Sequence, residues 1–153
     1  TRYVKTTNVV VQSLTPVNLI TTANLLANHA YMIRFRGIMN DNTNTAAIRF
    51  GIGSIGKRDM AIRVGYRNNA GVLEYKGITE GDDAGAGTAS FVEFAGSYFN
   101  GTGNLLTMDG MLTISSAGPL KINAFNGLNQ WDYRQFVAGC MLEVVDMGAV
   151  TLT

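Results

Sequence analysis

One histidine and one cysteine stand in this sequence, and both bear on whether it can catalyse a reaction. Any Ser–His–Asp or Cys–His machinery would have to recruit His29 as its base. That residue lies in LANHAY, just ahead of an alternating apolar stretch, where a turn or surface imidazole is expected. Cys140 lies in VAGCMLEVV, and a free cysteine among apolar neighbours behaves as a small buried hydrophobe. No serine stands in a nucleophile-elbow context, no intrachain disulfide can form, and four zinc ligands of the His/Cys type are lacking. The expectation is no catalytic set, no cofactor, no metal and no enzyme.

Three further patterns could carry chemistry. Glu80, Asp82 and Asp83 in GITEGDDAGAG offer oxygen donors of the kind calcium takes, but their spacing is not that of an EF-hand. Glu74 and Glu93 would serve as a glycosidase pair only if the fold joined them, and both read as outward strand positions. GIGSIG, residues 51–56, has the glycines of a phosphate loop without the following helix or the Lys-Ser/Thr ending, and reads as a hairpin connection.

Arginine and aromatic residues suit binding better than catalysis. YMIRFRGIMN, AAIRFGI and MAIRVGY set Arg34, Arg36, Arg49 and Arg63 between apolar residues. On an extended chain these side chains fall opposite the core face, which leaves a solvated face or a subunit interface open. The rigid guanidinium fork suits carboxylates at subunit contacts. Trp131, Asp132 and Tyr133 in GLNQWDYRQF form an exposed-looking cluster, fitted to a protein contact or to stacking on a sugar ring.

The elements that must position these residues are strands. LITTANLLANHAYMI has some helical spacing, but Thr21, Thr22, Asn24 and Asn28 weaken it. Elsewhere period two prevails. Tyr31, Ile33 and Phe35 share a face; so do Ile48, Phe50 and Ile52, and so do Met60, Ile62, Val64 and Tyr66. GVLEYKGI alternates Leu73 and Tyr75 with Glu74 and Lys76, and LLTMDGMLTIS sets Leu106, Met108, Leu112 and Ile114 against Asp109 and Thr113. FVAGCMLEVV aligns Phe136, Ala138, Cys140, Leu142 and Val144 along one final strand, with Glu143 outward. Polar, glycine-rich stretches such as NDNTNT, RNNAG and FNGTGN punctuate them. This predicts an all-β protein, an antiparallel sandwich or barrel of about eight to ten strands.

A chain of 153 residues is the size of one domain, and with 46% hydrophobic residues it can bury a proper core. Only 15% of residues are charged, well below the usual quarter, so the surface is neutral-polar or covered by partners. Twelve basic against 11 acidic residues is poor material for a nucleic-acid binder, and no apolar run is long enough to span a bilayer. TRYVKTTNVVVQSL lacks the apolar centre of a signal peptide; a start at Thr1 fits a chain that has lost its initiator methionine, although a trimmed chain would read the same. Residues 1–22, with two basic and no acidic residues, are expected to form a strand with some character of an arm, ahead of a domain spanning 23–153.

From about Leu25 to Met147, the order of features resembles a family of bacteriophage virion domains with a tumour-necrosis-factor-like jelly roll, found in head decoration proteins, head fibres and tail-fibre tips. The resemblance rests on Tyr31-Met32-Ile33-Arg34-Phe35-Arg36, Ala46 to Ile52, Asp109 to Leu112, Gly118 to Ala124, and Gly139 to Val144. It departs at Cys140, where the family pattern has serine, and over residues 57–100, which fit no family pattern. It implies a jelly-roll β-sandwich assembled as a homotrimer on the virion, made in the host cytoplasm. A start so close to the first strand favours a capsid decoration or cement protein over a fibre tip. On that reading Arg2, Tyr3 and Lys5 are candidate contacts with the major capsid protein or another virion protein. Arg34, Arg36, Arg49 and Arg63 are candidate subunit contacts. The alternative is a carbohydrate- or host-receptor-binding module that uses Trp131, Asp132 and Tyr133. Neither nucleic acid nor membrane is an expected partner.

Overall fold

The computed structural model describes residues 1–41, 47–54, 57–67, 71, 73–79, 90–94, 101–127 and 133–151. They form twelve strands: β1 (Arg2–Val4), β2 (Val9–Val11), β3 (Val17–Leu25), β4 (His29–Asp41), β5 (Ile48–Ser54), β6 (Lys57–Arg67), β7 (Leu73–Thr79), β8 (Ser90–Phe94), β9 (Gly101–Ile114), β10 (Gly118–Asn126), β11 (Arg134–Phe136) and β12 (Met141–Ala149). No helix occurs among the described residues. In LITTANLLANHAYMI the β-branched pair extends β3, and Asn28 takes left-handed backbone (φ 58°) between β3 and β4.

The pairing is nested. β1 joins β12, β3 joins β10, β4 joins β9 and β5 joins β8, all antiparallel, each pair lying inside the previous one along the sequence. Wrapped into two layers, these pairs give the orders β1-β12-β4-β9 and β3-β10-β5-β8, a jelly-roll β-sandwich. The β6–β7 hairpin, inserted between β5 and β8, adds to the free edge of β9 and widens the first sheet. β11 lies between β4 and β2 and completes that sheet as eight strands. The inserted hairpin lies in the stretch that fits no family pattern.

The inward faces meet as the alternation predicts. Phe50 is wholly buried, with ring centroids of Tyr66, Phe94 and Phe136 at 6.0, 5.8 and 6.1 Å. Burying each such side chain stabilises the fold by about 1.5–3 kcal/mol.

Three local expectations are corrected. The last apolar run is two strands, β11 and β12, because the chain turns at Ala138 and Gly139 (φ 102°), which leaves Ala138 exposed. The N-terminal segment bends with it: the Lys5 amide donates to the Cys140 carbonyl at 2.9 Å, and the Gly139 amide to the Lys5 carbonyl at 2.7 Å. GIGSIG is no hairpin connection, since its residues 51–54 belong to β5 and the next strand, β6, lies in the opposite sheet. Glu74 does not face outward. On β7 the inward side carries Glu74, Lys76 and Ile78, and Leu73 and Tyr75 are exposed, because β7 is the edge strand and only Ile78 reaches the core.

Candidate interaction surface

The outer face of the eight-stranded sheet collects most of the singled-out arginines. Register places Arg2 beside Glu143, Glu143 beside Arg34, Arg34 beside Asp109, and Asp109 beside Arg63. The result is a row of alternating charge crossing five strands at right angles to them. Arg36, one pair further along β4, turns back and grips Asp109 with both guanidinium nitrogens at 3.1 Å. Arg34 donates to the same carboxylate at 3.3 Å and lies 3.6 Å from Glu143, which Arg2 meets at 3.1 Å. Opposite charges set directly across strands fix register, while exposed pairs of this kind add only about 0–1 kcal/mol each.

Exposed apolar side chains flank the charged row. On one side Val145, Met32, Met111 and Ala61 stand in register, beside a shallow depression of about 250 Å³ walled by Ala30, Met60, Met111 and Leu112, with Asp59 and Thr113 at its polar side. On the other side the rows are mixed: Val4, Met141, Arg36, Thr107, Gly65 and Tyr75 stand in register, then Ile38, Leu105, Arg67 and Leu73. Val4, Ile38, Tyr75 and Met111 are 58%, 48%, 52% and 50% exposed, so large apolar side chains lie wet among the charged ones. Gly65 makes the Tyr75 position possible: a Cβ there would come within 2.6 Å of the Tyr75 ring. The Arg63 guanidinium lies 4.9 Å from the centre of that ring.

The other expected site residues scatter. Arg49 projects from the opposite sheet, where it pairs with Glu93 at 2.6 Å and lies over the rings of Phe91 and Phe125 at 5.0 and 5.7 Å. It is therefore on a different surface from Arg34, Arg36 and Arg63. Arg2 belongs to the charged row, Tyr3 is half-buried against the core, and Lys5 is half-buried at the bend before β2. Tyr133 is 37% exposed and accepts a hydrogen bond from Gln135 at 3.4 Å. Trp131, Asp132, Glu80, Asp82 and Asp83 lie outside the described residues.

His29 opens β4, with Nδ1 2.9 Å from both oxygens of Asp146. That hydrogen bond, followed by one from the Gly148 amide, holds the Asp146 carboxyl below the usual range. Cys140 is buried, which pushes its thiol up, and its Sγ donates to the Val137 carbonyl at 3.3 Å. A protonated, covered thiol is no nucleophile. Among the described residues no group of three His, Cys, Asp or Glu side chains could hold a metal ion, and no helix is long and apolar enough to cross a membrane.

One cluster has no signal in the sequence. Arg134, at the start of β11, is fully buried and donates from Nε to Asp41 at 2.9 Å, and from Nη1 to Asn126. Asp41 closes β4 and Asn126 closes β10, so the group ties the two sheets together at one end of the sandwich. Nearby, burial pushes the Tyr66 hydroxyl up, and the Asp41 charge adds to the shift.

No protein-family model and no curated protein sequence matches the chain. Among solved structures it is similar to the infectious bursal disease virus Gx strain structure, at 14% identity and a TM-score of 0.25, over 94% of this chain and 38% of that one. The VP2 subviral particle of the same virus gives 10% identity and a TM-score of 0.22, over 94% of this chain and 39% of the other. The chain thus spans about two fifths of the length of those structures. At these TM-scores the backbones superpose only loosely, and the fold of the chain stands on its own strand pairing.

Proposed function

We propose that the chain is a structural component of a bacteriophage virion, a capsid decoration or cement protein that works as a homotrimer and bridges neighbouring capsid subunits. The observation that carries this reading is the outer face of the eight-stranded sheet, where exposed apolar side chains stand beside a charged row. Exposed apolar side chains set among arginine, methionine and tyrosine are the composition of contact surfaces. Jelly rolls recur in capsid and lectin domains, which is support by analogy of fold alone. Closed symmetric homo-oligomers are the commonest assemblies, and the low charge of the chain suits a protomer covered by its neighbours.

In this assembly Arg34, Arg36 and Arg63 lie in a contact between protein surfaces. Arg2, on the same face, joins the subunit row to the N-terminal segment that meets the shell. Light scattering on the purified chain of 16.4 kDa is expected to give the mass of three protomers. Counting copies in purified virions by mass spectrometry is expected to find the chain in numbers matching the capsid lattice. A monomer in solution together with absence from virions would end the proposal.

A further inference from the structure

β4 is a central strand, paired with β12 and β9 along one side and the other, so nothing can join it through its backbone. What it presents outward is a pattern: Met32, Arg34, Arg36 and Ile38, apolar–basic–basic–apolar, one side chain every second residue and so about 7 Å apart. Around that stripe the charge does not balance. Among the described residues of this face Arg2, Arg34, Arg36, Arg63 and Arg67 outnumber Asp59, Asp109 and Glu143, and Asp59 is held by the Thr113 hydroxyl, although the whole chain has 12 basic and 11 acidic residues. Asp109 is shared by Arg34 and Arg36, and Glu143 by Arg2 and Arg34, so each guanidinium keeps donors to spare.

We infer that this face docks an extended acidic segment of a partner protein. The segment runs along β4 with an apolar–acidic–acidic–apolar pattern on alternate residues. Its carboxylates take the unused guanidinium donors, and its two apolar side chains meet the Met32–Met111 row and the Ile38–Leu105 row. The inference rests on the reading of this face as a protein contact and adds the chemistry of the partner. A protein fits better than a nucleic acid, because the side chains at the two ends of the stripe, Met32 with Met111 and Ile38 with Leu105, are aliphatic and thioether groups instead of stacking platforms for bases. The guanidinium fork also matches a carboxylate as a two-point contact.

The test uses a cyclised β-hairpin peptide with Val-Thr-Glu-Thr-Glu-Thr-Val on one strand, and the same peptide with glutamine for glutamate. Each is titrated into isotope-labelled full-length protein and followed by backbone NMR shifts. Saturable shifts at the outward residues of β12, β4 and β9 are expected for the acidic peptide. Roughly tenfold weaker binding is expected for the glutamine peptide, with a loss of affinity for the acidic one as salt rises. The double variant Arg34→Gln/Arg36→Gln abolishes the difference between peptides. Asp109→Asn, which frees further guanidinium donors, tightens the acidic peptide, a gain that misfolding cannot imitate. Arg49→Gln, on the other sheet, changes nothing.

Equal binding of the two peptides, shifts confined to the four-stranded sheet, or no shifts at millimolar peptide would overturn the inference. So would tighter binding of a single-stranded oligonucleotide at the same face. The virion reading fails separately, by copy number and mass, so a chain that trimerises but ignores the acidic peptide loses only this inference.

Discussion

Arg134 and Asp41 face each other with no water-exposed side-chain surface on either. Taking two charges out of water costs nearly what their attraction returns, so the pair does more for uniqueness than for stability. Removing one partner is different, because the other charge stays buried and loses its ion pair. Asp41→Ala is expected to lower unfolding stability by about 3–5 kcal/mol in a urea melt, whereas Arg134→Met combined with Asp41→Leu is expected to recover most of that loss. Asp146 behaves oppositely, at the surface. Its folded pKa lies below the unfolded value, so the contacts with His29 and Gly148 stabilise the fold above the normal aspartate range and are lost as pH falls through the lowered pKa. The stability difference between the native chain and Asp146→Asn is therefore expected to shrink towards zero on acidification, measured by melts from neutral pH downwards.

Edge strands need protection, and β7 shows how it is achieved. Lys76 points inward, its Nζ meeting the Glu93 carbonyl at 2.5 Å and lying 5.2 Å from the centre of the Phe94 ring. An inward charge on an edge discourages a second molecule from adding a strand there. Lys76→Val is expected to leave the fold intact and to promote aggregation, visible as rising light scatter with concentration. β9 has the opposite constraint at Gly110, where a Cβ would sit 2.1 Å from the Ala61 carbonyl oxygen of β6. Neither backbone can yield without breaking the ladder, so Gly110→Ala is expected to cost about 1–3 kcal/mol, read from chemical unfolding.

At the scale of the molecule, the outward placement of Arg34, Arg36, Arg49 and Arg63 was legible from alternation alone, because each stands between residues that need the core. Which sheet each strand joins was not legible, and this is why Arg49 separated from the other three. The same gap hid the alternating row: Asp109 and Glu143 read as outward, but only pairing across long stretches of chain makes them neighbours of Arg34. β7 misled because a short edge strand has little core to face, and its apolar pair therefore points to solvent. Arg134 was invisible for a more general reason, since a buried charge is recognised by its partners, and Asp41 lies 93 positions away. The row of alternating charge also bears on assembly. It reads the same from either end, so a second copy stacked face to face in register would oppose arginine to arginine. That penalises a two-fold face dimer and leaves arrangements in which a different surface meets this one, as in a ring. Met111→Asp is expected to weaken binding of the acidic peptide several-fold, read from the same NMR titration.

Nesting also sets an order of events for a chain leaving the ribosome. The inner pairs can close as soon as their own residues emerge, whereas β1, ahead of the other described strands, has as its partner β12, which follows them. Residues of β1 must therefore wait for their ladder partner until β12 has emerged. Completion of the first sheet thus comes after closure of the inner pairs, with the β12-facing edge of β1 open in the meantime.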